Sequence, residues 1–236
     1  MDERYSNSAR AMGIAAASIV LTSALAYGLA LAFGFASLRS PDQPIGDPWF
    51  TILEVLILVL APAMVVLMVA VHAWAPRERR GLALAALCMM VVLAAETSCV
   101  HFVILTLSHQ PGFAGRPGID TVLVFKWPSV VYALDILGWD VFFALAMLLA
   151  APVFGGSGLC RAIRLAMIAS GVLALSGLAG IALADMQLRN IGIAGYLAAF
   201  LAVDSLLLTL FVRSKAVPAP SATEMPDGTL TDQPRR

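Results

Sequence analysis

Six stretches of this chain stay apolar for longer than the roughly 20 residues a helix needs to cross the hydrocarbon core of a bilayer, and charge, proline or glycine bounds most of them. Those boundaries predict helical spans at about 10–36, 49–74, 81–107, 129–153, 163–185 and 191–212. Most of the connections are short, which favours antiparallel neighbours in one bundle. The expected fold class is therefore all-α: a polytopic membrane protein with six transmembrane helices in an antiparallel bundle. The first apolar run is longer than a signal-peptide core and its leader contains Asp2 and Glu3, so it is read as a retained helix. Residues 1–213 form the expected membrane domain. Residues 214–236, rich in Pro, Ala, Ser, Thr and acids, are expected to be a disordered cytoplasmic tail.

Composition strengthens this picture. Hydrophobic residues make up 60% of the chain and charged residues 13%, well outside the range of soluble domains. Basic residues then give an orientation. Arg4, Arg10, Arg77, Arg79, Arg80, Arg161, Arg164, Arg213 and Lys215 fall on one side, nine in all, against four on the other: Arg39, Arg116, Lys126 and Arg189. The positive-inside rule puts both termini in the cytoplasm. No basic tract points to nucleic acid. Cys88, Cys99 and Cys160 are too isolated to predict a disulfide or a zinc site.

Against this apolar background a few ionisable residues stand out, because such groups are costly at membrane depth and mark sites by default. Glu96 and His101 lie five residues apart on the third span, and Asp135 and Asp140 five apart on the fourth. Since the two spans run antiparallel, Glu96 levels with Asp140 near the midplane and His101 with Asp135 further out. Glu54, Tyr132 and Trp139 are weaker candidates: Glu54 could instead snorkel to the interface, and Tyr132, Asp135 and Trp139 share a helical face. Asp204, beside Ser205, is read as a structural hydrogen-bonding group. The expected arrangement is an acidic cavity open to the outer side. No Lys or Arg lies deep in any predicted span, so these carboxylates are expected to lack a cationic partner. Five residues advance a helix by about 140°, so each pair is expected to split between two directions.

Other chemistry is poorly supported. The depths of His72, His101 and His109 do not suit a bis-histidine haem, and no H-E-x-x-H motif is present. No cofactor, metal site or catalytic residue is expected. The loop from His109 to Pro128 is apolar in its middle and is read as an interfacial anchor, with a lid over the bundle mouth as the functional alternative.

The stretch Phe125-Lys126-Trp127-Pro128-Ser129 leading into Tyr132-Ala133-Leu134-Asp135-Ile136-Leu137, then Trp139-Asp140 and later Asp185-Met186-Gln187-Leu188-Arg189-Asn190, resembles a group of bacterial integral membrane proteins of unknown function. The resemblance spans the six helices without the tail and implies a bacterial inner-membrane setting. It supplies no activity. The expected function is binding or transport of a proton, cation or small solute. A membrane enzyme acting on a lipid-soluble substrate through His101, and a structural or sensory protein, stay open as alternatives. The lipid bilayer is the expected partner, and the sequence leaves the oligomeric state open.

Overall fold

The computed structural model describes residues 6–40, 43, 45–113 and 116–214. Ser214 apart, the expected tail lies outside the described residues. Among the described residues, seven helices account for the fold: α1 (Asn7–Ala36), α2 (Trp49–Trp74), α3 (Arg80–Leu107), a short α4 (Ile119–Leu123), α5 (Val130–Val153), α6 (Leu159–Ala182) and α7 (Asn190–Arg213). All but α4 are long and apolar enough to cross a membrane, as fits a multi-pass membrane protein.

Local chemistry starts several of these helices where they start. The Ser6 hydroxyl accepts from the Ala9 amide at the head of α1, Asp47 accepts from both the amide and the hydroxyl of Thr51 at the head of α2, and Ser129 accepts from the Tyr132 amide at the head of α5. Each satisfies a donor that the first helical turn leaves without an intrahelical partner. The one boundary that moves most is that of α6, which begins at Leu159 rather than near 163. Gly158 enters it at φ +61, a backbone region open to glycine, and this places Arg161 on the helix instead of in the connection before it.

The six long helices form a closed ring in chain order. Each packs on the next, and α7 returns to α1. Arg10 fastens that closure by donating to the carbonyls of Phe211 and Val212 at 3.0 and 2.9 Å, where the last turn of α7 has carbonyls to spare. Inside the ring, one core cluster is built from Met64, Leu67, Met90, Phe143, Met147, Phe211 and their neighbours.

Close packing between α6 and α7 depends on glycine. A Cβ built on Gly195 would lie 2.6 Å from the amide nitrogen of Ala174, and one on Gly177 would lie 2.9 Å from the Cα of Gly192. Both obstacles are backbone and cannot rotate away, so these positions must be glycine for the helices to approach this closely. The Ser170 hydroxyl also donates to the Gly195 carbonyl at 2.8 Å.

Two of the long helices widen locally. α5 contains a π-helical turn over Leu137–Phe143 and α7 one over Ala194–Ala199. Such turns are rare and tend to occur where a helix carries chemistry.

Candidate functional site

The ring brings together a buried thread of polar side chains drawn from α2, α3, α5 and the turn before α7. Glu54, His101, Asp135, Asp140 and Arg189 are each 6% exposed or less. Glu54 Oε2 lies 2.7 Å from His101 Nδ1. The other face of the imidazole points to α5, with Nε2 3.7 Å from Asp135 Oδ1. Asp135 Oδ2 accepts from Arg189 Nη2 at 3.0 Å, and Arg189 Nε lies 3.7 Å from Asp140 Oδ2. Acids and bases alternate along the thread: Glu54, His101, Asp135, Arg189, Asp140.

Arg189 overturns the expectation that the carboxylates have no cation. Counted among the residues of a connection, it is instead turned into the bundle and only 3% exposed. Its guanidinium also donates to the Tyr132 hydroxyl at 3.0 Å and stands 4.6 Å from that ring's centroid, a cation–π arrangement. Two local features direct it inward. Ala184 adopts a left-handed conformation at φ 53, which reverses the chain after α6, and Gly180 leaves room for the backbone of Arg189, whose nitrogen would lie 3.0 Å from a Cβ there. The signal available in the sequence was an arginine in a brief connection flanked on both helices by glycines.

The π-helical turn explains how Asp135 and Asp140 reach one guanidinium. On a regular α-helix five residues separate two side chains by about 140°, whereas absorbing one extra residue in a widened turn reduces that offset toward about 40°. The expected splitting of this pair therefore fails at Arg189. It holds in another respect, because Asp140 packs into the glycine seam: a Cβ on Gly192 would lie 2.8 Å from Asp140 Oδ1, and one on Gly177 3.1 Å from Oδ2. Glu96 goes elsewhere. It approaches α5 at Gly138, where a Cβ would lie 3.0 Å from its Oε2 and 3.5 Å from Thr97 Oγ1. The level depths of Glu96 and Asp140 thus do not make them a pair, because they face different neighbours.

Glu54 is buried against His101 rather than snorkelling. Trp139, also buried, packs against Phe143 and Tyr196 with ring centroids 5.9 and 5.2 Å away, on the aromatic side of α5 rather than with the ions. Tyr27 of α1, which the sequence did not single out, lies within electrostatic reach of Glu54, Asp135 and Arg189. Asp204 is fully buried on α7, and neither of its oxygens has a hydrogen bond among the described residues. Both oxygens of Glu96, both of Asp140, Thr97 Oγ1, His101 Nε2 and Arg189 Nε also lack one.

The thread is enclosed rather than open. In the connection between α3 and α5, Phe125 places its ring 5.6 Å from that of His101 and 5.1 Å from that of Tyr132, so this segment covers the imidazole. Glu54 and Asp135 flank the imidazole, and Phe125 lies over it. Among the described residues no three His, Cys, Asp or Glu side chains are arranged to hold a metal ion.

Outside the helices, a second histidine pair links two connections. His109 Nε2 lies 2.9 Å from Asp47 Oδ2, and His109 Nδ1 lies 2.8 Å from the Leu105 carbonyl. With an acceptor at each ring nitrogen, the doubly protonated ring is favoured. The hydrogen bond His109 donates to Asp47 raises the pKa of His109, and the hydrogen bonds Asp47 accepts from Thr51 and His109 lower that of Asp47.

No protein-family model, curated protein or solved structure matches the chain.

Proposed function

We propose that the chain crosses a bacterial inner membrane six times with both termini in the cytoplasm, and that its buried thread binds and passes protons from the outer side toward the membrane midplane. One observation carries this reading. Glu54, Asp135 and Asp140 are three carboxyls paired with Arg189 and His101, and Glu96, on the same helix as His101, is a fourth with no hydrogen bond or ion pair among the described residues. Were all four ionised, even a protonated His101 would leave them two charges in excess. In a medium of low dielectric such an excess is relieved by binding protons or cations.

Protons suit the geometry better than a larger solute. His101 is bracketed by Glu54 and Asp135 and covered by Phe125, which leaves its edges no room for a substrate. A proton can pass between carboxyl and imidazole groups with little rearrangement, and the 3.7 Å step from His101 Nε2 to Asp135 Oδ1 is short enough to close by a small side-chain movement or to be bridged by one water, while Arg189 keeps its own protons and holds Asp135 and Asp140 beside each other. Carboxyl and histidine chains of this kind serve as proton relays within membranes.

Proton flux in proteoliposomes under an imposed pH gradient tests the reading. Flux through the wild-type protein is expected to exceed that of empty liposomes and to fall in both Asp135→Asn and His101→Gln. Flux equal to that of empty liposomes, or unchanged by both substitutions, overturns it.

A further inference from the structure

At the opposite end of the bundle from His101, a groove of 480 Å³ opens between α5 and α6, lined by Arg79, Leu148, Pro152, Arg164, Leu165 and Ile168. The two guanidinium-bearing residues belong to different elements. Arg79 stands just before α3 and is held in place by donating to the Pro152 carbonyl, with Gly155 leaving space beside it. Arg164 is half-buried on the second turn of α6. Neither arginine forms an ion pair with a carboxylate among the described residues. The groove therefore presents two cations without an anion.

Its walls continue as hydrocarbon. Leu165 and Ile168 are exposed on α6, and Ile168 lies one helical turn, about 6 Å, further toward mid-bilayer than Arg164. The groove closes where Leu148 meets Gly171, whose Cβ would lie 2.8 Å from Leu148 Cγ. Positive charge at the rim and an apolar channel running inward match the two halves of a single molecule.

We infer that this groove binds an anionic phospholipid, with the headgroup phosphate between Arg79 and Arg164 and one acyl chain along Leu165 and Ile168. Basic pockets between membrane helices on the cytoplasmic side recognise acidic headgroups in this manner, and guanidinium matches phosphate geometry through paired donors. The inference rests on membrane insertion but not on the proton-binding reading, since the groove and the thread share no residue.

The test uses full-length protein in detergent, mixed with phosphatidylglycerol or phosphatidylcholine and examined by native mass spectrometry. Wild-type protein is expected to retain phosphatidylglycerol preferentially. Arg164→Gln should reduce that preference about fivefold, the share one basic side chain contributes at an anionic surface, while Arg164→Lys keeps part of it and the thermal midpoint of both variants stays near wild type. Ile168→Ser should weaken retention of the same lipid. Equal retention of the two lipids overturns the proposal, as does a preference unchanged by Arg164→Gln or displacement by millimolar inorganic phosphate alone. A preference that arises only after deletion of residues 217–236 also overturns it, by making the acidic tail the occupant.

Discussion

Replacing Arg189 with methionine isolates the electrostatic part of the thread, because methionine preserves much of the side-chain length and apolar bulk while removing the guanidinium. Wild-type Arg189 makes two 3.0 Å hydrogen bonds, to Asp135 and to the Tyr132 hydroxyl, and lies 3.7 Å from Asp140. Removing one member of a buried pair costs about 3–5 kcal/mol, chiefly because the surviving charge has neither water nor partner. Arg189→Met should therefore destabilise the protein by about that amount in equilibrium unfolding in detergent micelles followed by circular dichroism. Adding Asp135→Asn removes the stranded charge, so the double variant should be more stable than Arg189→Met alone, with a coupling of about 1–3 kcal/mol. Recovery should stay incomplete, since Asp140 still lacks its cation. Arg189→Lys should fall between, because an ammonium cannot span the same donors as the planar fork. A loss under about 1 kcal/mol for Arg189→Met, or single costs that add within about 0.5 kcal/mol, would refute the claim that these charges support one another.

Further outcomes follow from the packing and from the outer connections. Gly192→Ala should destabilise by about 1–3 kcal/mol, because its Cβ would meet the Cα of Gly177 and the carbonyl of Ala174 as well as Asp140. Gly28→Ala, whose Cβ meets nothing within 4 Å, should instead stabilise α1 by about 0.5–1 kcal/mol; the reverse order in the same unfolding assay would show that the seam is looser than described. Phe125→Ala should quicken modification of His101 by diethylpyrocarbonate severalfold, and an unchanged rate would mean that Phe125 does not shield the ring. For the exposed Asp47–His109 pair, the raised pKa of His109 means that its stabilisation is complete below about pH 6.5 and is lost as pH rises through the folded-state value. The lowered pKa of Asp47 means that its share is present above about pH 4 and is lost as pH falls through its folded-state value. His109→Gln should accordingly lower the thermal midpoint near pH 5.5 and have little effect in alkaline solution; an equal effect at both would exclude a charged pair.

Much of the fold was legible because a lipid-facing helix must be apolar over its whole length, so span positions such as Trp49–Trp74 follow from hydropathy alone. Most members of the thread were legible for the related reason that ionisable groups are rare there: Glu54, His101, Asp135 and Asp140 all belong to it, while Glu96 lies apart beside Gly138. How these side chains are turned was less accessible. Arg189 looks like one more loop charge until the reversal at Ala184 and the space at Gly180 direct it inward. The turn of Asp140 toward Arg189 depends on a π-helical widening for which Leu137–Phe143 carries no sequence mark. Hydropathy reports depth, and depth does not determine which neighbour a side chain meets.

Arg189 occupies the last short connection of the ring, and this has a consequence for how the protein is made. A ribosome delivers Asp135 and Asp140 to the membrane before it delivers the arginine that pairs with them. The helices up to α5 must therefore be received with those acids uncharged or temporarily hydrated, and the bundle becomes electrically complete only when the α6–α7 hairpin arrives and α7 closes against α1. The final hairpin is thus a keystone in time as well as in space.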